Sequence, residues 1–375
     1  MAQANGCLRR PKNWGNKGAR HQSMSQKFKQ GARSVLIVPY VWIGDFVRSH
    51  SVVRLLRAKD PDRSVDIVSN TLCAPLADYM PGVRRAIAID LPRGTLGIAL
   101  QRQLASMLRE AHYEQAIVMS RKWKAALAPW LAGIPVRTGF AGEFRFGLLN
   151  DVRFGENRLP RMIDQMGVLT LPKDAPLPKD WPLPQLKIPA KDVDSWSVQL
   201  GISDDVRPIV ALSPGAVGAG KAWPARQYCE LAKELAKDGA SVWVLGGPNE
   251  TPIAKAIVAA GGSRARGLTG TNLRNAILAL AMADVSVTND SGLMHVSAAI
   301  GRPTIAIFGP TSPWHWKPLN PIAAILEPPG DERSRERARI DGNAAVRHRR
   351  TDDVTVKTVL SAVRKVLADA KNHMK

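Results

Sequence analysis

The residues best suited to chemistry lie in the string Thr288–His295, which stands between short apolar runs. Those runs predict a strand, a helix and a second strand, at Val285–Thr288, Val296–Ile300 and Thr304–Phe308. In such a crossover, Asp290, Ser291 and Gly292 occupy the strand-to-helix turn, where unpaired N–H groups and the helix dipole attract phosphate. Alternatively, these residues simply cap the helix, as Asn, Asp and Ser often do.

A second loop suited to phosphate runs from Ser213 to Pro224, directly after the predicted strand Ile209–Ser213. Its glycines, Gly215 among them, let the backbone approach a ligand closely. Lys221 supplies a compact positive charge of the kind that binds phosphate. The loop is not a Walker motif, because neither Ser nor Thr follows the Gly-Lys pair. The alternative interpretation is an ordinary surface loop.

Two carboxylates follow other predicted strands. Glu250 comes after a Gly-Gly-Pro-Asn run, where an acid can accept hydrogen bonds from ribose hydroxyls. Asp45 follows the first strand of the chain, where a carboxylate can take a proton from an attacking hydroxyl. Each carboxylate could instead stabilise the start of the next helix. Together, the four loops favour group transfer from a nucleotide-activated donor.

The elements that would position these loops alternate between strands and helices. Predicted strands are 34–39, 64–69, 85–89, 115–119, 209–213, 241–245, 285–288 and 304–308, and predicted helices are 46–56, 74–80, 98–111, 123–132, 193–200, 225–238, 251–260, 272–282 and 354–368. This rhythm predicts an α/β protein with doubly wound parallel sheets.

A proline-rich segment divides the pattern into two parts. Leu171–Pro189 holds six prolines and is expected to be an extended linker. We therefore expect a basic extension at 1–33, one domain at 34–185, a second at 190–350, and a terminal helical region at 351–375. The arginine-rich stretch Arg333–Arg350 is expected to be a mobile charged loop.

The net charge of +21 indicates a polyanionic partner or surface. Met1–Arg33 contributes eight Lys or Arg and no acid, which leaves +13 for the rest of the chain. Nucleic acid, anionic lipid and a phosphorylated glycolipid all fit this charge. A recognisable nucleic-acid-reading motif is lacking, so we expect no nucleic-acid partner. Alternatively, the first residues form a disordered extension, or translation starts at Met24.

The cysteines and the apolar runs indicate the cellular compartment of the protein. Cys7, Cys73 and Cys229 are widely spaced, which predicts neither a disulfide framework nor a zinc site. The longest apolar runs, such as Ala276–Ala283, have eight residues and cannot span a bilayer. The first residues contain no apolar segment typical of a secretory signal. We therefore expect a cytoplasmic protein.

The chain resembles glycosyltransferase family 9, and within it the heptosyltransferase II branch. The similarity runs from about Val35 to Leu367. The blocks that carry it are Trp42–Asp45, Lys124–Leu127, Ala132–Gly139, Gly147–Arg153, Ser213–Ala216, Lys221–Pro224 and Thr288–His295.

The resemblance implies a GT-B fold, with two Rossmann-like domains facing a central cleft, and no metal or other cofactor. It implies inverting transfer of heptose from ADP-heptose to the first heptose of the lipopolysaccharide inner core, beside the anionic inner-membrane surface. The catalytic residues it implies are Asp45, as general base, and Lys221, at the donor phosphates. It places at the donor Ser213, Gly215, Glu250, Asp290, Ser291, Gly292, Leu293 and His295, and at the acceptor Gly44, Lys124, Arg137 and Arg145.

Two alternatives remain open beside this interpretation. One is a family-9 enzyme with another donor or acceptor, and the other is a GT-B-fold nucleotide-sugar epimerase. Arg48 departs from the family pattern, which has an apolar residue at this position. We expect it on a solvated helix face, with acceptor phosphate binding as the alternative.

Overall fold

A computed structural model describes residues 34–373 except 93, 203–205, 271, 331–335, 338–340 and 342. The basic extension expected at 1–33 lies outside the described residues. Among the residues that are described, no helix combines the length and apolar character needed to cross a membrane.

The first half of the chain is built on a parallel sheet of six strands. In chain order these are β1 Ser34–Val38, β2 Ser64–Ser69, β3 Val83–Ala88, β4 Gln115–Val118, β5 Val136–Phe140 and β6 Asp151–Arg153. Their helices are α1 Ile43–Lys59, α2 Ala74–Ala77, α3 Ile98–Arg109, α4 Trp123–Leu131 and α5 Met162–Gly167. The spatial order is β3-β2-β1-β4-β5-β6. Every residue of β1 is buried, as expected for a strand covered on both faces.

The second half repeats this plan. Its strands are β7 Ile209–Ser213, β8 Ser241–Gly246, β9 Ala265–Thr269, β10 Val285–Asn289, β11 Thr304–Ile307 and β12 Ala324–Leu326. Its helices are α6 Ala190–Gln199, α7 Ala225–Lys237, α8 Thr251–Gly261, α9 Leu273–Met282, α10 Gly292–Ile300, α11 Pro313–Trp316, α12 Asn343–Val346 and α13 Val356–His373. The spatial order β12-β11-β10-β7-β8-β9 matches that of the first sheet. The predicted doubly wound parallel architecture is confirmed.

Each sheet reverses its winding direction between its two central strands, β1 and β4 in the first half and β7 and β10 in the second. Loops diverge at such points and leave a crevice at the carboxyl ends of the strands. In the second half, Ser213 pairs with Thr288, so the loops after β7 and β10 leave the sheet side by side. The topology therefore brings together loops that are far apart in sequence.

The two halves share one apolar core. Helix α1 packs against α10, and α9 packs against both α2 and α6. Buried side chains from both halves, such as Phe46 and Val296, belong to the same cluster. Residues 171–189 contain no helix or strand, but this segment is held at two points along its second half. Trp181 donates to Asp164 at 2.7 Å, and the Leu186 N–H donates to the Ala299 carbonyl at 2.8 Å.

The arginine-rich stretch is not simply a mobile charged loop. Within its described residues, Asn343–Val346 is helical and Val346 is fully buried. Arg349 is also buried, and its guanidinium lies 2.6 Å from a carboxylate oxygen of Glu327. The expectation was wrong here because charge content alone does not distinguish a solvated arginine from one that is paired inside the protein.

Candidate active site

The positively charged side chain of Lys221 lies near the start of α10. The Lys221 ammonium is 2.7 Å from Asp290 Oδ2. The Thr311 hydroxyl donates to the same oxygen at 2.8 Å. Asp290 therefore fixes the position of Lys221 beside the positive end of the α10 dipole. The Lys221 ammonium, paired with Asp290, thus lies close to the first N–H groups of α10.

Asn289 holds the loop that carries Lys221. It is fully buried, and its Oδ1 accepts from the Trp223 N–H at 3.1 Å and the Tyr228 hydroxyl at 3.0 Å. Its Nδ2 donates to the Pro214 carbonyl at 2.7 Å. Both ends of the loop are thus tied to β10. This positioning role was not predicted from the sequence, although Asn289 stands inside the string Thr288–His295.

The first turn of α10 is not capped by a side chain. Ser291 occupies the cap position with extended backbone, but its hydroxyl makes no cap hydrogen bond. The hydroxyl lies 3.2 Å from that of Thr288 instead. The N–H groups that follow, at Gly292 and Leu293, therefore lie at a helix start that can receive an anion. This geometry argues against helix capping as the role of the Ser291 side chain.

Glu250 and Gly215 come together from neighbouring strand ends. Glu250 ends a short 3-10 turn and accepts from the Gly247 N–H at 2.7 Å. A Cβ on Gly215 would lie 2.9 Å from the Glu250 carboxyl carbon, so the loop needs glycine there. Ser213 ends β7 nearby, and its buried hydroxyl has no hydrogen-bond partner among the described residues. These three residues line the same edge of the second sheet.

From the first half, Asp45 is the third residue of α1 and Trp42 holds the cap position, so Asp45 does not cap the helix. Arg48 lies one turn further on, with Nη1 3.4 Å from Asp45 Oδ1. Its Nη2 donates to the Trp316 carbonyl of the second half at 2.6 Å. Arg48 is only 2% exposed, so the expected solvated position is wrong. That face of α1 packs against the other half of the molecule.

The electrostatics of Asp45 suit a base. Burial raises the pKa of its carboxyl above the usual value, and the Asp290 charge acts in the same direction. The Arg48 and Lys221 charges oppose this rise. A carboxylate whose pKa is moved toward neutrality is a better proton acceptor from a hydroxyl. Asp45, Asp290 and Lys221 therefore act on one another across the two halves.

His295 and Gly44 meet where α1 packs against α10. A Cβ on Gly44 would lie 2.6 Å from His295 Cδ2. Burial lowers the pKa of His295 well below its usual value, and the Arg48 and Lys221 charges add to this. The imidazole is therefore neutral. Gly44, expected at the acceptor, therefore lies against His295, expected at the donor, where the two halves meet.

A cavity of about 610 Å³ opens at the carboxyl ends of β1 to β4. Its lining is largely apolar but includes basic side chains at one side, Arg121, Lys122 and Lys124. Lys124 also donates to the Thr95 carbonyl. A mainly apolar cavity with a few polar groups is typical of a small-molecule site. Of the residues expected at the acceptor, Lys124 is the one that lines this cavity.

Arg145 and Arg137, which were also expected at the acceptor, do not line this cavity. Arg145 is buried and donates to the Ser120 carbonyl at 2.7 Å, while its Nε and Nη2 have no partner among the described residues. Arg137 lies at the beginning of β5, away from the strand ends that carry the cavity. Its guanidinium donates to the carbonyls of Leu148 and Ile134. The structure therefore brings Arg137 neither to the cavity nor to Asp45, Lys221 and Asp290.

Among the described residues, no group of three or more His, Cys, Asp and Glu could hold a metal ion.

The model of glycosyltransferase family 9 (heptosyltransferase) matches residues 101–371. The chain belongs to this family. The family-9 enzyme is 37% identical over 306 residues to lipopolysaccharide heptosyltransferase 2 of Escherichia coli (strain K12), covering 78% of this chain and 87% of that protein.

Further relatives agree with this assignment. The glycosyltransferase is 35% identical over 307 residues to lipooligosaccharide heptosyltransferase 2 of Haemophilus influenzae, covering 78% of this chain and 88% of that protein. The solved structure of E. coli ADP-heptose lipopolysaccharide heptosyltransferase II matches with a TM-score of 0.78 and 34% identity, over 90% of this chain and 99% of that one. The GT-B fold and the resemblance to the heptosyltransferase II branch are confirmed.

Proposed function

We propose that this enzyme transfers L-glycero-D-manno-heptose from ADP-heptose to the first heptose of the lipopolysaccharide inner core, with inversion at the sugar carbon. The observation that carries this proposal is the meeting of two groups across the halves. The second half offers Lys221 and the start of α10 to a leaving diphosphate. The first half offers Asp45, whose pKa is raised by burial, as a base.

The donor half supplies the charge for the leaving group. Lys221 and the N–H groups at 291–293 stabilise the negative charge that develops on ADP, so this mechanism assigns no step to a metal or other cofactor. Glu250 accepts hydrogen bonds from the ribose hydroxyls. Ser213 and Gly215 lie beside the nucleotide, and Asp290 keeps Lys221 in position. His295, neutral and buried, forms the floor of the sugar site.

In the chemical step, the acceptor hydroxyl oxygen forms a bond to the anomeric carbon while the bond from that carbon to the ADP oxygen breaks. Asp45 takes the hydroxyl proton late in the step, and the electron pair of the broken bond leaves with ADP. Arg48 holds Asp45 at the cleft. Because attack and departure occur on opposite faces of the sugar, the configuration inverts.

The acceptor half supplies the cavity. Its volume of about 610 Å³ suits sugar residues of the inner core, and Lys124 with Arg121 and Lys122 suits their anionic substituents. Arg145 supports the same half from its interior, and Gly44 lets α1 approach the donor half. Since the acceptor is anchored in lipid, we place the enzyme in the cytoplasm, in peripheral contact with the anionic inner-membrane surface. The net charge of +21 supports that placement.

The test is incubation with ADP-heptose and defined truncated core acceptors, followed by mass measurement of the products. We expect one heptose increment on a one-heptose acceptor and none on a heptose-free acceptor. An increment only on the heptose-free acceptor, or only with another nucleotide sugar, would instead assign a different family-9 activity.

A further inference from the structure

Three phenylalanines project from one edge of the first half. Phe144 and Phe146 lie in the loop after β5, and Phe154 follows β6; their exposed fractions are 90%, 91% and 79%. Single exposed apolar side chains are normal on protein surfaces, but several large ones in one segment mark an interaction site. We call these three residues the aromatic rim.

The backbone holds the aromatic rim together. The Ala141 N–H, at the start of the loop, donates to the Arg153 carbonyl at 2.7 Å, and Phe154 is the next residue. Phe144 has a φ of +29°, a backbone conformation that bulky side chains rarely adopt. Residues in such conformations cluster at functional sites. The loop after β5 and the residue after β6 thus present their phenyl rings to solvent from neighbouring segments.

The rim lies beside the basic side of the cavity. A Cβ on Gly142 would lie 2.6 Å from the Arg121 carbonyl oxygen, so the loop packs directly against the segment that follows β4. Arg121 and Lys122 from that segment line the cavity and are themselves exposed. The mouth of the proposed acceptor cavity therefore borders the aromatic rim.

The charge around the rim is positive. Residues 120–124 and 142–158 hold six basic and three acidic side chains. Each of the three acids is ion-paired, in the pairs Glu143–Lys122, Asp151–Arg153 and Glu156–Arg121. Exposed aromatic rings among basic side chains are the combination that binds anionic lipid interfaces.

We propose that the aromatic rim inserts into the headgroup region of an anionic lipid bilayer and thereby brings the cavity mouth to the depth of a lipid-anchored acceptor. The inference rests on the proposed function for what the cavity receives. A second copy of this chain is the less suitable occupant of the rim, because two molecules of charge +21 repel each other. An anionic bilayer satisfies both the apolar rings and the basic side chains around them.

The test is co-sedimentation of the full chain with vesicles of phosphatidylcholine and phosphatidylglycerol. The variant carries Phe144→Asn, Phe146→Ser and Phe154→Ser, with Asn chosen because it tolerates positive φ. Raising the salt concentration to about 0.5 M shortens the screening length to about 4 Å, so the binding that remains reports ring insertion. At this salt concentration, we expect the vesicle partition coefficient of the variant to be about tenfold lower than that of the wild type, or lower still.

Two further variants serve as controls. Val198→Ser with Ile322→Ser removes apolar side chains that are 79% and 54% exposed elsewhere, and it should bind vesicles like the wild type. Replacing the three phenylalanines with tryptophan should preserve binding, because tryptophan also favours the interface. Light scattering of the wild type and the rim variant, without vesicles, reports self-association.

The outcomes separate this inference from the proposed function. Transfer to a water-soluble, deacylated acceptor should be unchanged in the rim variant, since none of the three rings lines the cavity. Wild-type vesicle binding by the rim variant would overturn the inference, as would conversion of a wild-type dimer into a monomer with vesicle binding retained. If the wild type transfers no heptose to any acceptor while the rim still governs vesicle binding, only the proposed function fails.

Discussion

Asp45 lies where the two halves meet, and its environment defines what its replacement should do. Asp45→Asn removes the proton acceptor but keeps the size of the side chain. We expect the kcat for heptose transfer to fall by about 10³-fold, within the range typical of a lost general base. The affinity for ADP-heptose, measured by calorimetry, should stay close to that of the wild type. A kcat near the wild-type value would remove Asp45 from the base role.

Lys221 should act mainly on the donor. Lys221→Ala removes a charge-assisted contact to phosphate, a loss of about 1.5–3 kcal/mol, which corresponds to a 10- to 150-fold weaker Kd for ADP. Lys237→Ala, at an exposed lysine paired with Glu234 on α7, is a matched control and should not change this Kd. Equal affinity for ADP in wild type and Lys221→Ala would contradict the phosphate role.

Arg48 should tune Asp45 rather than bind substrate. Its positive charge opposes the effect of burial on the pKa of Asp45, so Arg48→Met should raise that pKa further. Because the base must be ionised, the acidic limb of the kcat/KM profile should move to higher pH, with Arg48→Lys moving it less. An unchanged limb in Arg48→Met would show that Arg48 serves only the contact to Trp316.

At the scale of elements, helices α1 and α10 can approach only because glycine stands at their contact. A Cβ on Gly292 would lie 2.7 Å from Ile43 Cβ. Gly292→Ala should therefore force the helices apart, lower the free energy of unfolding by about 1–3 kcal/mol and weaken ADP binding. Gly267→Ala is the control, because its Cβ would meet nothing closer than 3.6 Å. Urea unfolding and calorimetry measure both effects, and equal values for the two variants would contradict this account.

Sequence patterns predicted some elements much better than others. Strands β7 and β10 were predicted to within a residue, because both are short segments with several β-branched residues and are buried over their whole length. Strands β5, β6, β9 and β12 were not predicted. β9, for example, reads Ala265-Arg-Gly-Leu-Thr269 and lies at a sheet edge, where polar and small residues are tolerated. Local periodicity cannot separate such a strand from a loop.

In the candidate site, too, some positions could be predicted from the sequence and others could not. The strand-end positions of Asp45, Lys221, Glu250 and Asp290 follow from the βαβ pattern, because loops at the carboxyl ends of parallel strands share one edge. The placement of Arg48 does not, since it depends on which face of α1 meets the other half. That contact joins residues 268 positions apart in the chain. No local pattern in the sequence carries it.

At the scale of the whole molecule, His50 ties α1 to the segment between the halves. Its Nδ1 accepts from the Gln185 N–H at 2.9 Å, and its Nε2 lies 2.8 Å from the Pro81 carbonyl. Burial lowers the pKa of His50 to about 4. Protonation would remove the acceptor for Gln185 and place a charge in the interior. The neutral imidazole is therefore part of what holds the halves together.

The stability of the protein should depend on pH accordingly. The unfolded chain binds a proton at His50 near pH 6.5, while the folded chain resists it down to about pH 4. The contribution of His50 is therefore complete above pH 6.5 and is lost as the pH falls toward 4, by about 3 kcal/mol. Urea unfolding at several pH values, for wild type and His50→Gln, measures it. If both proteins lose stability equally between pH 6.5 and 4, His50 is not responsible.

The close contact between α1 and α10 also bears on how such a protein can change over generations. Gly44 leaves room for His295, and Gly292 leaves room for Ile43, so each half carries a glycine that accommodates a side chain of the other. A recombination event that exchanged one half alone would match glycines and side chains selected in different partners. The two sheets resemble separate modules, yet at this contact they must be inherited together.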